Sequence, residues 1–488
     1  MISTIIMKEL KAIILSPKFT ATFAVCSLLL LLSVYVGINE YRASVKQYET
    51  ATQLSRQEMR ETASWMSLTN KTYRKPDPMQ IFVSGVNYDI GRLSGIGQYS
   101  TVKLQHSAYS DDPIYAVFRF IDFSFIVTIV LSLFALLFTY DAINGERESG
   151  TLQLTFSNAV PRAQYILGKL VGSWLGLVVP LTVPVALSVL MLLMYRIPFS
   201  PEHWMKLGVL FGVALLYFTV FIAIGLLASA LTRHSSISFL IALVVWVLAV
   251  LIIPRAGVII SGQIVPVPSV AEIEGQHDAY SKQRWQKFQN EMEVNWRERN
   301  APMENLSAEE REKYRDDHLW AWMEQDDSSR KAMQKEIDVY AVRLNEDLRN
   351  RQAAQQELAF VLSRFSPASS FQLTAMNIAG TNIDLKSRYE DAMISYREVF
   401  NKFTEKRQKE SGGMGGIRVT FDTDKGFKFD VPRERGSLNL ADMPQFTDPD
   451  RSLKNALAPA MVDVGLMSLY ALAAFVAAFV GFLRYDVR

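Results

Sequence analysis

The chain has 488 residues, 49% of them hydrophobic and 20% charged, with a net charge of +2. So balanced a charge excludes the basic excess of a nucleic-acid binder, and a single cysteine, Cys26, excludes an intrachain disulfide framework. The hydrophobic residues gather in long runs separated by polar stretches, which is the distribution of a membrane protein with polar domains rather than of one soluble globule.

In chain order, residues 1–18 read as a helix lying in the cytoplasmic interface, with Thr4, Lys8 and Lys11 on one face and Ile2, Ile6, Leu10 and Ile13 toward the other. The uncharged run 19–38 is 20 residues long, enough to cross about 30 Å of hydrocarbon. No small-residue cleavage site follows it, so a retained first span is expected and not a signal peptide. Lys8, Lys11 and Lys18 favour an inside amino terminus. Residues 39–117 form a polar extracytoplasmic segment, predicted helical through about Asn70 and then punctuated by Pro76, Pro78, Gly85, Gly91, Gly95 and Gly97. The second span is expected at 118–140, with Asp122 near its outer end.

A polar island follows at 141–163, carrying Asp141, Glu146, Arg147, Glu148 and Arg162. Charge is costly inside a bilayer, so this connector belongs at a membrane face. Ser149 is expected to cap a short helix in which Leu152, Phe156 and Ala159 share one side at i, i+4 and i+7 spacing, until Pro161 stops it. On the residues alone this is a surface helix joining two spans. Gly145 and Gly150 are spaced like the glycines of a phosphate-binding loop. Thr151 stands where the lysine belongs, however, no strand is expected before the pair, and no other G-x-x-x-x-G-K-[ST] string occurs in the chain.

The third span, 164–195, contains Pro180 and Pro184, where a kink is expected. The fourth covers 205–232 and the fifth 235–260, joined by a turn at Arg233 that returns to the cytoplasmic side. Residues 261–459 have the composition of an extracytoplasmic α-helical domain. Helical stripes run through Ile273, His277, Tyr280, Phe288, Met292 and Trp296, through Met333, Ile337, Tyr340, Leu344 and Leu348, and through Leu385, Tyr389, Ala392, Tyr396 and Phe403. These are expected to pack together as two or three long helices, with a shorter amphipathic element bounded by Pro367 and Gly380. Alternation at Ile417, Val419 and Phe421, and again at Phe427, Phe429 and Val431, predicts a hairpin over 417–431. A sixth span, 460–483, ends inside with Arg484 and Arg488. The fold class is therefore mainly α: a polytopic membrane protein of six spans, whose α-rich extracytoplasmic domain carries one small hairpin. Both termini are expected in the cytoplasm of a bacterial inner membrane, and an even number of spans puts the 141–163 connector on that same side.

The string Gly145-Glu146-Arg147-Glu148, then Gly150-Thr151-Leu152, a short apolar helix, Pro161-Arg162 and finally Gly168-Lys169 resembles the coupling segment of permeases of the ABC-2 exporter superfamily. The membrane portion as a whole looks most like permeases associated with gliding-motility or copper-enzyme-maturation transporters. The large insertion between the last two spans marks a subgroup. This resemblance implies that a separate ATP-binding subunit docks on Glu146, Arg147, Glu148, Gly150, Thr151, Leu152 and Phe156. It further implies that ATP and Mg belong to that subunit and not to this chain, and that a second permease, a copy or a paralogue, completes the complex. No catalytic, cofactor-binding or metal-binding residue is assigned: HExxH and CxxC are absent, the five histidines are scattered, and no Met-x-Met cluster is present to carry over a metal specificity. Asp122, Arg255 and Asp463 fall at outer ends of spans and are expected to be solvated or structurally paired. The rival reading is a mechanical transmitter that moves its outer helices against an extracytoplasmic partner and passes nothing through the bilayer.

Overall fold

The computed structural model describes residues 2–62, 65, 67–97, 102–107, 121–158, 160–303, 306–410, 418–422, 426–430, 438–449 and 452–484, with the side chains of 316, 320, 323, 327, 409 and both strands of the 418–430 hairpin left aside. Helix α1, Ile2–Ile14, is followed by α2, Pro17–Glu61, which starts where Ser16 accepts a hydrogen bond from Phe19 N and Pro17 presets the first turn. Its 45 residues reach about 68 Å at 1.5 Å per residue, well over twice the hydrocarbon thickness. The apolar half can span, and the polar half continues as a helical arm. That arm ends at Glu61, short of the predicted Asn70, and Asn70–Tyr73 instead forms strand β1, paired antiparallel with β2, Leu93–Ile96. The extended Asn-Lys-Thr-Tyr run finds a partner across the Gly- and Pro-rich loop, a pairing that no local periodicity announces.

Helix α3, 123–139, contains a π-helical stretch, Ile126–Leu131. Asp122 caps it through Phe125 N at 2.8 Å and pins the preceding loop by accepting from Ser84 N at 2.9 Å and Ser84 Oγ at 2.8 Å. The connector carries α4, Asn144–Glu148, and α5, Thr151–Ser157. Then come α6, Arg162–Met194, α7, Pro201–Leu231, and α8, Ser235–Ile264. Helix α6 runs through both Pro180 and Pro184. After these lie α9, Val270–Asn300, α10, Ala308–Ser363, α11, Pro367–Ala379, and α12, Leu385–Glu410. Strands β3, Arg418–Asp422, and β4, Gly426–Asp430, pair antiparallel as the alternation predicts, with Val419 opposite Phe429 and Phe421 opposite Phe427. Ile417, Asp424, Lys425 and Val431 lie outside the described residues. Helix α13, Leu453–Leu483, ends the described chain. Among the described residues six helices are long and apolar enough to cross a membrane: α2, the one from Phe123 to Glu148, α6, α7, α8 and α13.

The chain divides into two compact units, Met1–Ile252 with Ser366–Arg488, and Ile253–Phe365. In the first, α7 is the central element, burying Leu210, Tyr217, Val220, Phe221, Ile222 and Leu226 among α3, α11 and α13. Helix α11 has the predicted bounds, with Gly380 closing it in the left-handed conformation at φ 70°. It packs into this bundle, where Phe371 stacks on Tyr217 at 4.8 Å. The third helical stripe also belongs to this unit, whereas the first two belong to the other. Helix α12 buries Leu385, Tyr389, Met393, Tyr396 and Phe400, in place of the predicted set with Ala392 and Phe403, against Met59, Leu68, Ile90 and Ile96. Three tyrosine and asparagine bonds hold it there: Asn70 to Tyr396 at 2.8 Å, Tyr396 to Pro444 O at 2.9 Å, and Tyr389 to Asp448 at 2.9 Å.

The second unit is organised by α9 and α10. Tyr280 stacks on Tyr340 at 4.0 Å, Arg284 pairs with Glu336 at 2.7 Å and Arg299 with Asp326 at 2.6 Å. Ser307 and Glu310 form a reciprocal capping box at the start of α10. Only Ile273, Met333, Ile337 and Ala359 are buried apolar side chains among its described residues.

Candidate functional site

Local chemistry shapes the connector first. Helix α4 ends at Glu148, and the chain reverses through Gly150 at φ 72°, a left-handed conformation that costs glycine nothing and would strain any residue with a Cβ. The predicted Ser149 cap on α5 does not form. Gly150 occupies the cap position, and the Ser149 hydroxyl turns back to Glu146 O at 3.2 Å and to Thr151 Oγ1 at 3.0 Å. The left-handed turn carries Ser149 away from the N–H groups it was expected to cap.

Beneath this turn lies a cluster of four charges. Glu146 Oε1 accepts from Lys8 Nζ at 2.6 Å and Lys169 Nζ at 2.7 Å, while its other oxygen accepts from Tyr165 Oη at 2.7 Å. Lys169 also pairs with Glu9. Only 2% of the Lys169 side chain is exposed. Burial pushes the Glu9 carboxyl above the ordinary carboxylate range, against the downward pull of Lys169. Two cations face two carboxylates, so the cluster is neutral as a whole. Removing Lys169 or Glu9, the two buried members, costs about 3–5 kcal/mol, because the partner is left buried and uncompensated.

Helix α1 is seated against α6 by a glycine stripe. A Cβ on Gly168 would meet Ile5 Cγ2 at 2.7 Å, one on Gly172 would meet Glu9 Cβ at 2.6 Å, and one on Gly176 would meet Ile13 Cδ1 at 3.1 Å. The i, i+4, i+8 spacing of these glycines matches that of Ile5, Glu9 and Ile13, so the two backbones approach closely over three turns. The opposite edge of the connector is tied to the start of α8 and the end of α7. The Asn144 amide donates to Thr232 at 3.0 Å and accepts from Ser229 at 3.2 Å. Glu148 caps α8 by accepting from Ser235 N at 2.9 Å and Ser235 Oγ at 2.8 Å. Ser238 Oγ reaches Tyr140 O at 2.6 Å.

The apolar stripe of α5 faces inward. Leu152 is buried, and Phe156 lies 5.2 Å from the Tyr165 ring and 6.0 Å from the Phe482 ring. Ala159 lies outside the described residues. Of the seven residues that the resemblance implies as a contact set, Glu146, Leu152 and Phe156 bind the connector to its own bundle. Arg147 is half-buried, and Glu148, Gly150 and Thr151 are exposed. The outward face of α5 is Gln153, Leu154, Ser157 and Asn158, and Leu154 is 67% exposed. Sequence reasoning missed Leu154 because it falls off the apolar stripe, and missed Glu9 because a lone glutamate in an interfacial helix reads as solvated. The available signal was the Gly168, Gly172, Gly176 spacing, which marks a helix-packing face and so points to buried partners around Lys169. Among the described residues no group of three or more His, Cys, Asp or Glu side chains is arranged to hold a metal ion.

A protein-family model described as "ABC-2 family transporter protein" matches residues 3–487. The chain is 34% identical over 131 residues to a protein of Stutzerimonas stutzeri named "Probable ABC transporter permease protein NosY", covering 26% of this chain and 46% of that one. It is 32% identical over 134 residues to the protein of the same name from Pseudomonas aeruginosa, covering 27% and 48%. The chain thus spans about half the length of the curated relatives it matches.

Proposed function

This chain belongs to the ABC-2 family of transporter proteins and is a multi-pass membrane subunit of an ABC transporter, and from that premise we propose that it couples ATP hydrolysis by a separate subunit to the export of a substrate. The connector 141–163 faces the cytoplasm of the bacterial inner membrane, as do both termini, and ATP with its Mg is bound by the partner. Two copies of this permease, or one copy and a paralogue, complete the membrane part.

The observation that carries this reading is an exposed leucine on a clamped connector. Leu154 stands 67% exposed on α5, whose other face is fixed by Leu152, Phe156 and the Glu146 cluster. A handle can transmit force only if it moves as one body with what it drives. Here ion pairs join the connector to α1 and α6, and hydrogen bonds join it to α7 and α8. Closure of the ATPase pair against Leu154, Gln153 and Thr151 would therefore bias the bundle between two arrangements, a population shift set by the difference in partner affinity for the two. Arg147, Glu148 and Gly150 complete the rim of the docking face.

The test is purification of the native complex carrying Leu154→Asp. We expect the ATPase subunit to be lost from the complex and the permease to remain folded. Undiminished copurification refutes the docking face, and a native complex that contains no nucleotide-binding subunit refutes the function.

A further inference from the structure

Two of the long apolar helices carry π-helical stretches within the same compact unit, Ile126–Leu131 in α3 and Val247–Ile252 in α8. A π turn inserted in an α-helix leaves a carbonyl at its edge without an N–H partner of its own, and such turns recur at functional positions. Here donors from other helices reach into both stretches. Tyr217 Oη of α7 donates to Thr128 O, inside the α3 stretch, at 3.0 Å, and Ser132 Oγ donates to the same oxygen at 2.5 Å. Ser366 Oγ, at the cap of α11, donates to Ala249 O inside the α8 stretch. Trp246, the residue before the α8 stretch, donates through Nε1 to Oγ of Ser132, the residue after the α3 stretch, at 2.8 Å. The two irregular turns are thus cross-linked to each other, to α7 and to α11, which packs against both.

Helix α11 is itself incompletely paired. Ser370 and Thr374, one turn apart, have no exposed surface, and neither hydroxyl has a partner among the described residues. The hydroxyl of Ser369, 6% exposed, is in the same position. A buried hydroxyl without a partner is worse than an apolar group of the same shape. These side chains therefore weaken the present arrangement and stabilise only one in which an acceptor reaches them.

We infer that α3 and α8 are jointed at their π turns, and that the bundle has a second arrangement in which both turns relax to α-helix and the hydroxyl face of α11 meets water. Relaxation returns Thr128 O and Ala249 O to N–H groups of their own helices and releases Tyr217, Ser366 and Trp246. It also displaces one side of each helix against the other by about 1.5 Å and 100°, which unseats α11. The external donors favour the π arrangement and the unpaired hydroxyls favour the other, so removing a donor shifts the population.

The test labels single cysteines in the full-length protein in nanodiscs. It needs no partner subunit, so its outcome is separate from that of the transport reading. Replacing Cys26, the one cysteine of the chain, with serine clears the background. Ser370→Cys, Thr374→Cys and Ala375→Cys are then exposed in turn to a small cationic methanethiosulfonate. Ala375 is as buried as the other two and lies about 100° or more round α11 from them, so local unfolding of the helix would label all three alike. Ser370→Cys and Thr374→Cys should label faster than Ala375→Cys by about tenfold or more. Adding Tyr217→Phe, which keeps the ring stacked on Phe371, or Trp246→Phe should raise the rate at both positions about tenfold, because each removes a bond made only in the π arrangement. Equal labelling at the three positions, no labelling at any of them, or an unchanged rate in Tyr217→Phe or in Trp246→Phe overturns the inference.

Discussion

Replacing Lys169 with methionine isolates the clamp beneath the connector. The substitution keeps the unbranched apolar stem of the side chain and removes the ammonium that joins Glu9 to Glu146. Glu146 still keeps Lys8 at 2.6 Å and Tyr165 at 2.7 Å, so it remains compensated. Glu9, 6% exposed, loses its buried cation, and the penalty concentrates there. We therefore take the lower end of the range for a broken buried pair, about 3 kcal/mol. The α1–α6 contact should bear this cost, because Glu9 reaches the cluster only while Ile5 and Ile13 are seated on the glycine stripe. Hydrogen exchange of the amides in residues 2–14, measured at pH 7 in nanodiscs, reads that opening equilibrium directly. Exchange should accelerate about a hundredfold, since each 1.4 kcal/mol is a factor of ten. Adding Glu9→Gln should recover part of the protection, because it removes the stranded charge. Unchanged protection in Lys169→Met, or a double variant no better than the single one, would refute the reasoning.

The two faces of α5 separate fold from partner: Leu152→Ala should destabilise the bundle by about 2–5 kcal/mol, read as a lower unfolding temperature, whereas Leu154→Asp should leave that temperature within about a degree and affect only complex formation. Gly172→Val places a side chain 2.6 Å from Glu9 Cβ, and this overpacking should cost about 1–3 kcal/mol and increase exchange throughout α1. The Ser307 hydroxyl and N–H hold the Glu310 carboxyl below its ordinary range. A group so lowered stabilises the fold above its unfolded pKa and loses that contribution as the pH falls through the folded value. Amides in the first turn of α10 should therefore exchange relatively faster at pH 3 than at pH 6 after correction for intrinsic rates, and Glu310→Gln should flatten the difference.

Long-wavelength features were legible from residues alone. Each apolar run of spanning length became a helix, because a run of that length has nowhere else to bury its surface and must satisfy its own backbone in the absence of water. The period-two alternation after residue 417 became a hairpin, and Pro367 and Gly380 bounded a helix. Where partners lie far apart in the chain, the reading failed. Asn70–Tyr73 became a strand because Leu93–Ile96 lies beside it. Helix α12 packs on Met59 and Ile90, and local periodicity does not say which distant neighbour covers a stripe.

The candidate site divides in the same way. The sequence by itself determined that a charged connector with a short amphipathic helix follows the second apolar run, since charge and apolar periodicity are properties of neighbouring residues. Only the tertiary structure decided which face of that helix is free. Glu146 is bound by Lys8 and Lys169, residues 138 and 23 positions away, and Phe156 by Phe482 near the end of the chain. An amphipathic stripe announces burial without naming what covers it, and here the cover is the protein's own bundle, which leaves Leu154 exposed on the opposite face.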